Sequence, residues 1–146
     1  MEKRINIEET EPAAFKAMYA LANYMGTTRL SKTHAELIKI RSSQINGCAF
    51  CINMHTKDAR AHGETEQRIY LLNAWRETES VYTADERVVL AMAEEITLIA
   101  NGGLSDQTYQ KAKAIFDEQY IAQVIMMVVT INAWNRIAIS TQQQPA

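Results

Sequence analysis

The sequence is short of residues that interrupt helices and has no excess of positive charge. Among its 146 residues are five glycines and two prolines, and the formal net charge is −2. No stripe of lysine and arginine could follow a phosphate backbone, so we expect no binding to nucleic acid. Apolar residues make up 47% of the chain, enough to form a core without structural disulfides or metal ions.

The sequence also lacks an export signal and a long apolar run. Residues 1–11 are charged, unlike a signal peptide. The most apolar segment, residues 121–139, is interrupted by polar residues and falls short of the roughly 20 apolar residues that a membrane span requires. We therefore expect a cytoplasmic protein without membrane contact. In a reducing cytosol, a close pair of cysteines is more often catalytic, redox-active or metal-binding than structural.

The few helix-breaking residues divide the chain into six to seven predicted helices. These span about residues 12–24, 31–43, 48–63, 66–75, 83–100, 105–117 and 121–139. Since no segment alternates as a strand does, the sequence predicts an all-α, single-domain bundle over residues 1–146, with a frayed polar tail at 141–146. The apolar surface of residues 121–139 exceeds what a small monomer easily covers, so we expect the bundle to oligomerise through apolar helices.

Two cysteines and a histidine recur at helical spacing. Cys48, Cys51 and His55 are separated by three and four residues, which places them on one face of a helix. Cys48 would lie near the helix N-terminus, where unpaired backbone N–H groups favour a thiolate. His55 would stand one turn beyond Cys51 and could exchange a proton with its sulfur. This arrangement suits nucleophilic thiol chemistry.

A carboxylate twelve residues upstream belongs to the same predicted site. In one straight helix, Glu36 would lie about 18 Å from Cys48. A reversal at Asn46-Gly47 would instead fold the chain back and bring Glu36 to the level of His55. The predicted order is therefore Glu36, His55, Cys51 and Cys48, with the carboxylate orienting the imidazole and favouring its charged form.

Other interpretations of these residues are open at this stage. The cysteines could be inert core packing, or Cys48, Cys51, His55 and Glu36 could bind zinc, although structural zinc sites usually gather two separated ligand pairs. Glu36 could also be an ordinary exposed residue.

Several further histidines, tryptophans and polar residues are predicted to have structural rather than catalytic roles. We expect His34 and His62 on the surface, and Trp75 and Trp134 as packing anchors. Three polar residues of the last helix must find partners in a pocket, a subunit interface or solvent: Asn132, Asn135 and Arg136.

The thiol segment QINGCAFCINMHTKDAR, residues 44–60, resembles the alkylhydroperoxidase-D-like branch of the carboxymuconolactone decarboxylase family. The segments LNAWRE at 72–77 and INAWNR at 131–136 fit the same branch. The resemblance implies an all-helical, trimeric or hexameric thiol peroxidase. It implies that Cys51 attacks the hydroperoxide, Cys48 resolves the product, and His55 with Glu36 relays the proton. It also implies a dithiol reductant, either a lipoyl-type or a thioredoxin-like protein, and neither cofactor nor metal.

Phe50 departs from the pattern of the branch, and two arguments disagree about which cysteine attacks the hydroperoxide. Phe50 stands where alkylhydroperoxidase D often has a histidine, which removes a polar group from the site. The position of Cys48 near a helix N-terminus favours it as the lower-pKa thiol, whereas the resemblance and the i+4 neighbour His55 favour Cys51. The alternatives to a peroxidase are a non-enzymatic thiol stress sensor, a metal-binding module and a decarboxylase-type enzyme.

Overall fold

The computed structural model describes residues 2–146, and every regular element in that part of the chain is helical. The α-helices are α1 (Ile7–Thr10), α2 (Pro12–Gly26), α3 (Lys32–Asn46), α4 (Ala49–Ala61), α5 (Glu66–Tyr70), α6 (Ala84–Thr97), α7 (Asp106–Ile115) and α8 (Glu118–Ser140). Short 3-10 helices cover Leu72–Glu77 and Ile99–Asn101. The predicted all-α, single-domain fold is confirmed.

Helix boundaries follow the local signals with two exceptions. Ser31 and Ser105 cap α3 and α7, and Thr83 opens α6 with a complete capping box. The sequence analysis missed α1, which Asn6 caps. It also predicted one helix over 66–75, whereas the chain there forms α5 and a 3-10 helix within which Ala74 has non-helical angles (φ −117°, ψ 23°).

The long helix α8 is the centre of the bundle. It packs against α2, α3, α4, α6 and α7. By length and composition α8 could cross a membrane, but half of its most apolar window is buried within the fold. The core helix of a globular protein passes the same test. Val124, Val128 and Ile131 of α8 are fully buried or nearly so and join the main apolar core with residues of α3 and α6.

The hairpin formed by α3 and α4 positions the thiol segment. Gly47 adopts the left-handed conformation (φ 70°) that ends α3, a conformation that other residues enter only with strain. The Cys48 N–H then donates to the Ser43 carbonyl at 3.0 Å. Cys48 becomes the N-cap of α4 rather than a residue of its first turn. The predicted chain reversal at Asn46-Gly47 is therefore present.

A buried polar network connects this hairpin to α8. Asn46 donates hydrogen bonds to Asn132 and Asn135, both at 2.9 Å, and Asn135 donates to Ser43 at 3.0 Å. Asn132 also donates to Thr97 of α6. The polar residues of the last helix thus find partners inside the bundle. Arg136 remains exposed and donates to Asn132.

Some of the remaining predictions for single residues are confirmed, and the prediction for His34 is wrong. Trp75 is buried and donates to Glu94 at 2.8 Å, as expected of a packing anchor, and His62 is exposed. His34 is buried rather than exposed, because Asp85 and Tyr120 supply polar partners at 2.8 Å and 2.6 Å. The tail expected to fray lies against α4, where Asn53 donates to the Ala146 carbonyl at 3.3 Å.

Candidate active site

The two cysteines form a disulfide at the start of α4. Their Cα atoms are 5.3 Å apart, and the Cys51 N–H donates to the Cys48 sulfur at 3.3 Å. That contact uses one of the backbone donors that a helix N-terminus leaves unpaired. Both residues are almost completely buried, at 1% and 2% exposure, and pack against Ala138 of α8. The pair is therefore close enough to cycle between dithiol and disulfide without a change of fold.

A cavity of about 580 Å³ opens beside the disulfide. Cys51 lines it, whereas Cys48 does not. Much of the cavity wall consists of aromatic and methionine side chains. These side chains come from α2, α4 and α8: Phe15, Tyr19, Phe50, Met54, Met127 and Trp134. The cavity gives an apolar molecule access to one sulfur of the pair.

The aromatic part of this wall is a packed cluster. Phe15 and Tyr19 of α2 lie 5.4 Å and 5.9 Å from the Trp134 ring, in edge-to-face and tilted arrangements. Trp134 is therefore a packing anchor that also shapes the cavity. Phe15 and Tyr19 were not predicted as site residues, because no local signal shows that α2 packs against α8 beside the cavity.

Glu36 and His55 meet in the same wall. Their side chains are 13% and 11% exposed, and Glu36 Oε2 lies 3.8 Å from His55 Nδ1. Neither atom has a hydrogen-bond partner. The other carboxylate oxygen, Oε1, accepts a hydrogen bond from Lys39 at 3.4 Å. The structure thus brings Cys51, His55 and Glu36 to one cavity, and the disulfide joins Cys51 to Cys48 outside the cavity wall.

Burial dominates the electrostatics of this pair. Burial first, and the nearby Lys39 second, lower the pKa of His55 to about 4, against the opposing effect of Asp58. Burial also raises the pKa of Glu36 above its ordinary value, against the opposing effect of Lys39. The imidazole is therefore neutral at pH 7, whereas the sequence analysis expected Glu36 to favour the charged form. A neutral imidazole can accept a proton from a thiol.

Two charged neighbours escaped the sequence analysis. Lys39 lines the cavity beside Glu36, one helical turn along α3. Asp58 lies three residues after His55 on α4, and its carboxylate joins a compact group with His55 and Glu36. The same helical spacing that grouped the cysteines with His55 would have drawn attention to Asp58.

Comparison with known proteins identifies the family of this chain. The model of the carboxymuconolactone decarboxylase family matches residues 12–95, more than half of the sequence. The chain belongs to the carboxymuconolactone decarboxylase family. This match includes α2, α3 and α4, and therefore Glu36, the two cysteines and His55, whereas the α8 part of the cavity wall lies beyond it.

A sequence relative and a solved structure are both similar to this chain over almost its whole length. The uncharacterized Bacillus subtilis protein YdfG is 42% identical over 146 residues, covering all of this chain and 99% of the relative. A solved Agrobacterium tumefaciens structure, a protein of unknown function suggested to be the antioxidant defence protein AhpD, is 41% identical with a TM-score of 0.95. The two chains cover 99% of each other. The predicted alkylhydroperoxidase-D-like branch is confirmed.

A more distant structure shows how widely the fold extends. An uncharacterized peroxidase-related protein from Silicibacter sp. is 24% identical with a TM-score of 0.78, over 90% of this chain and 69% of the other. At this identity the likeness concerns the fold alone.

Proposed function

We propose that this protein is a thiol-dependent peroxidase that reduces organic hydroperoxides in an antioxidant role. The observation that carries the proposal is the position of Cys51, whose sulfur borders an apolar cavity while its disulfide partner Cys48 lies outside the cavity wall. A substrate would therefore reach Cys51 first. The family membership and the AhpD-like relative support the same conclusion.

The first chemical step forms a sulfenic acid. The Cys51 thiolate attacks the terminal oxygen of the hydroperoxide, and the O–O bond breaks as the S–O bond forms. The alkoxide takes up a proton and leaves as an alcohol. The largely apolar wall of the cavity suits the organic part of the substrate.

The second step closes the observed disulfide. The Cys48 sulfur attacks the sulfenic sulfur of Cys51, and the hydroxyl group leaves as water once it is protonated. The net reaction converts ROOH and two thiols into ROH, water and a disulfide. A dithiol reductant, of the lipoyl or thioredoxin-like type, then restores both thiols by exchange. Such recycling suits the reducing environment of the cytoplasm.

Protons move through the two polar side chains of the cavity wall. His55, one turn beyond Cys51, accepts the thiol proton and returns it to the leaving alkoxide. Glu36 Oε2 lies 3.8 Å from the Nδ1 atom of this ring, a position from which the carboxyl group would orient the imidazole once the two atoms approach to hydrogen-bond distance. Both side chains hold an unpaired atom in the resting structure, which leaves them free to exchange protons.

An anaerobic thiol titration tests this proposal. The reduced protein is mixed with stoichiometric cumene hydroperoxide, and free thiols, alcohol product and metal content are measured. We expect rapid loss of two thiols per chain, one alcohol per disulfide, and repeated turnover when a dithiol such as dihydrolipoamide is supplied.

The competing functions give different results in the same experiment. A stress sensor would oxidise once without turnover, and a decarboxylase-type enzyme would leave the hydroperoxide unconsumed. Zinc bound by the cysteines would block the thiols from titration until a chelator is added. Each of these results contradicts the peroxidase.

A further inference from the structure

Two buried polar atoms in the cavity wall lack partners. Glu36 Oε2 and His55 Nδ1 are both shielded from solvent and make no hydrogen bond. Buried polar groups are almost always satisfied, so an unpaired acceptor facing an unpaired ring nitrogen calls for an explanation. Lys39 does not provide it, because its ammonium group contacts the other carboxylate oxygen of Glu36.

A third ligand-type group completes the arrangement. One carboxylate oxygen of Asp58 lies with Glu36 and His55 in a group whose ligand atoms are all within 4.8 Å of one another. In a tetrahedral zinc site, bonds of about 2.1 Å place neighbouring ligand atoms about 3.4 Å apart. The Glu36–His55 separation of 3.8 Å is already close to that value. Asp58 is exposed, so a change of its side-chain rotamer can close the remaining gap.

We propose that Glu36, His55 and Asp58 form a binding site for Zn²⁺. One imidazole nitrogen and two carboxylate oxygens are ligands that zinc accepts, and three protein ligands leave a fourth position for water or substrate. Mg²⁺ and Ca²⁺ prefer oxygen ligands alone, so the imidazole selects against them. The cysteines are not required, because they are joined in a disulfide.

The site has a consequence for catalysis, and this part rests on the proposed peroxidase function. Zn²⁺ bound at His55 Nδ1 and Glu36 Oε2 occupies both groups of the proton relay. The metal ion would therefore inhibit peroxide reduction reversibly, and a chelator would restore the rate.

Zinc titration of the disulfide form tests the site without relying on activity. Protein verified to contain no free thiol is titrated with ZnCl₂ by isothermal calorimetry, and the site predicts saturable binding of one ion per chain. Asp58→Asn should weaken the affinity at least about tenfold, since loss of even an outer-shell group at a metal site has that effect. Lys39→Gln should strengthen binding, because it removes a cation that competes for Glu36.

Matched variants separate this site from adventitious binding. Asp106→Asn changes an equally exposed aspartate at the start of α7 and should leave the affinity unchanged. Equal affinity for Asp58→Asn and the unmodified protein overturns the site. So does loss of binding in His62→Gln without any loss in Asp58→Asn, which would place the ion at His62, a residue of the same cavity wall outside the proposed ligand set.

Activity measurements then test the inhibition separately. Each variant is compared with its own metal-free rate, and Asp58→Asn should require at least about tenfold more Zn²⁺ for half-inhibition. If zinc binds as expected but the metal-free protein consumes no hydroperoxide, the proposed function fails and the site stands. If the protein is an active peroxidase that Zn²⁺ neither binds nor inhibits, the site fails and the function stands.

Discussion

Glu36 Oε2 faces His55 Nδ1 at 3.8 Å across the junction of α3 and α4, and both atoms are buried without a hydrogen-bond partner. The two residues are 19 positions apart in the sequence and meet only because the chain reverses at Gly47. Their meeting joins a carboxylate to the face of α4 that carries the cysteines.

The two cysteines should have different roles. Because Cys51 lines the cavity and Cys48 does not, Cys51→Ser should abolish hydroperoxide consumption. Cys48→Ser should still react once and retain a sulfenic acid on Cys51, detectable by dimedone labelling and mass spectrometry. Labelling of Cys48 in the Cys51→Ser variant, with consumption at the normal rate, would reverse the assignment.

Glu36 and His55 should act as one unit. Glu36→Gln should lower the rate of peroxide reduction at least about tenfold, because general acid–base help is typically worth 10²- to 10⁴-fold. His55→Gln should reduce it as much or more, and the double variant should be little worse than His55→Gln alone. Stopped-flow rates for all four proteins complete the cycle, and Lys57→Gln, at an exposed position of α4 outside the cavity wall, is the control. Additive losses would show that the two residues work independently.

Stability should depend on the buried imidazole as the pH falls. The pKa of His55 is about 4 in the folded protein and near its ordinary value of 6.5 in the unfolded chain. The unfolded state therefore binds more protons between these values, and the stabilising effect of a neutral His55 is lost progressively as the pH drops from 6.5 to 4. At about 1.4 kcal/mol per pH unit, the full loss is about 3 kcal/mol.

The raised pKa of Glu36 acts in the opposite direction, since protonation of its carboxyl group favours the folded state at low pH.

Urea denaturation of the unmodified protein and of His55→Gln at pH 7, 6 and 5 isolates the contribution of the histidine to this pH dependence. The difference in unfolding free energy between the two proteins should shrink as the pH falls. A constant difference would show that His55 takes up its proton normally in the folded state.

The buried network around Asn135 should contribute to stability. Asn135 is fully buried, accepts a hydrogen bond from Asn46 and donates one to Ser43. Asn135→Ala should lower the free energy of unfolding by about 1–3 kcal/mol, because it leaves buried polar groups unsatisfied. Asn23→Ala, at an exposed position of α2, should change it by no more than about 0.5 kcal/mol. Equal effects of the two substitutions in denaturant titrations would contradict this role.

The protein should form trimers or hexamers, as the family resemblance implies. Apolar side chains remain exposed on α2 and α8: Tyr19, Tyr24, Val129 and Ile139. Their contact with further copies would remove apolar surface from water. Light scattering should give a multiple of the 16.5 kDa chain mass. A stable monomer across micromolar concentrations would contradict the expectation.

Local sequence signals determined the secondary structure and the thiol motif. The Thr83 capping box, the Ser31 cap and the left-handed Gly47 act over three or four residues, so a reader of the sequence can place helix ends from them. The spacing of Cys48, Cys51 and His55 likewise fixes a shared helix face without any tertiary contact. The predicted reversal at Asn46-Gly47 linked Glu36 to that face, and the family resemblance implied the same residue.

Tertiary packing decided the environment of those residues. The cavity exists because α2 and α8 bring Phe15, Tyr19 and Trp134 to the thiol helix, and no local pattern encodes the crossing of separate helices. Burial reversed the expected protonation of His55, because the desolvation of an imidazole depends on everything packed around it. It likewise placed His34 inside, where Asp85 and Tyr120 supply partners from α6 and α8. Spacing along one helix is a local property, whereas dielectric environment and cavity shape arise only from the assembled bundle.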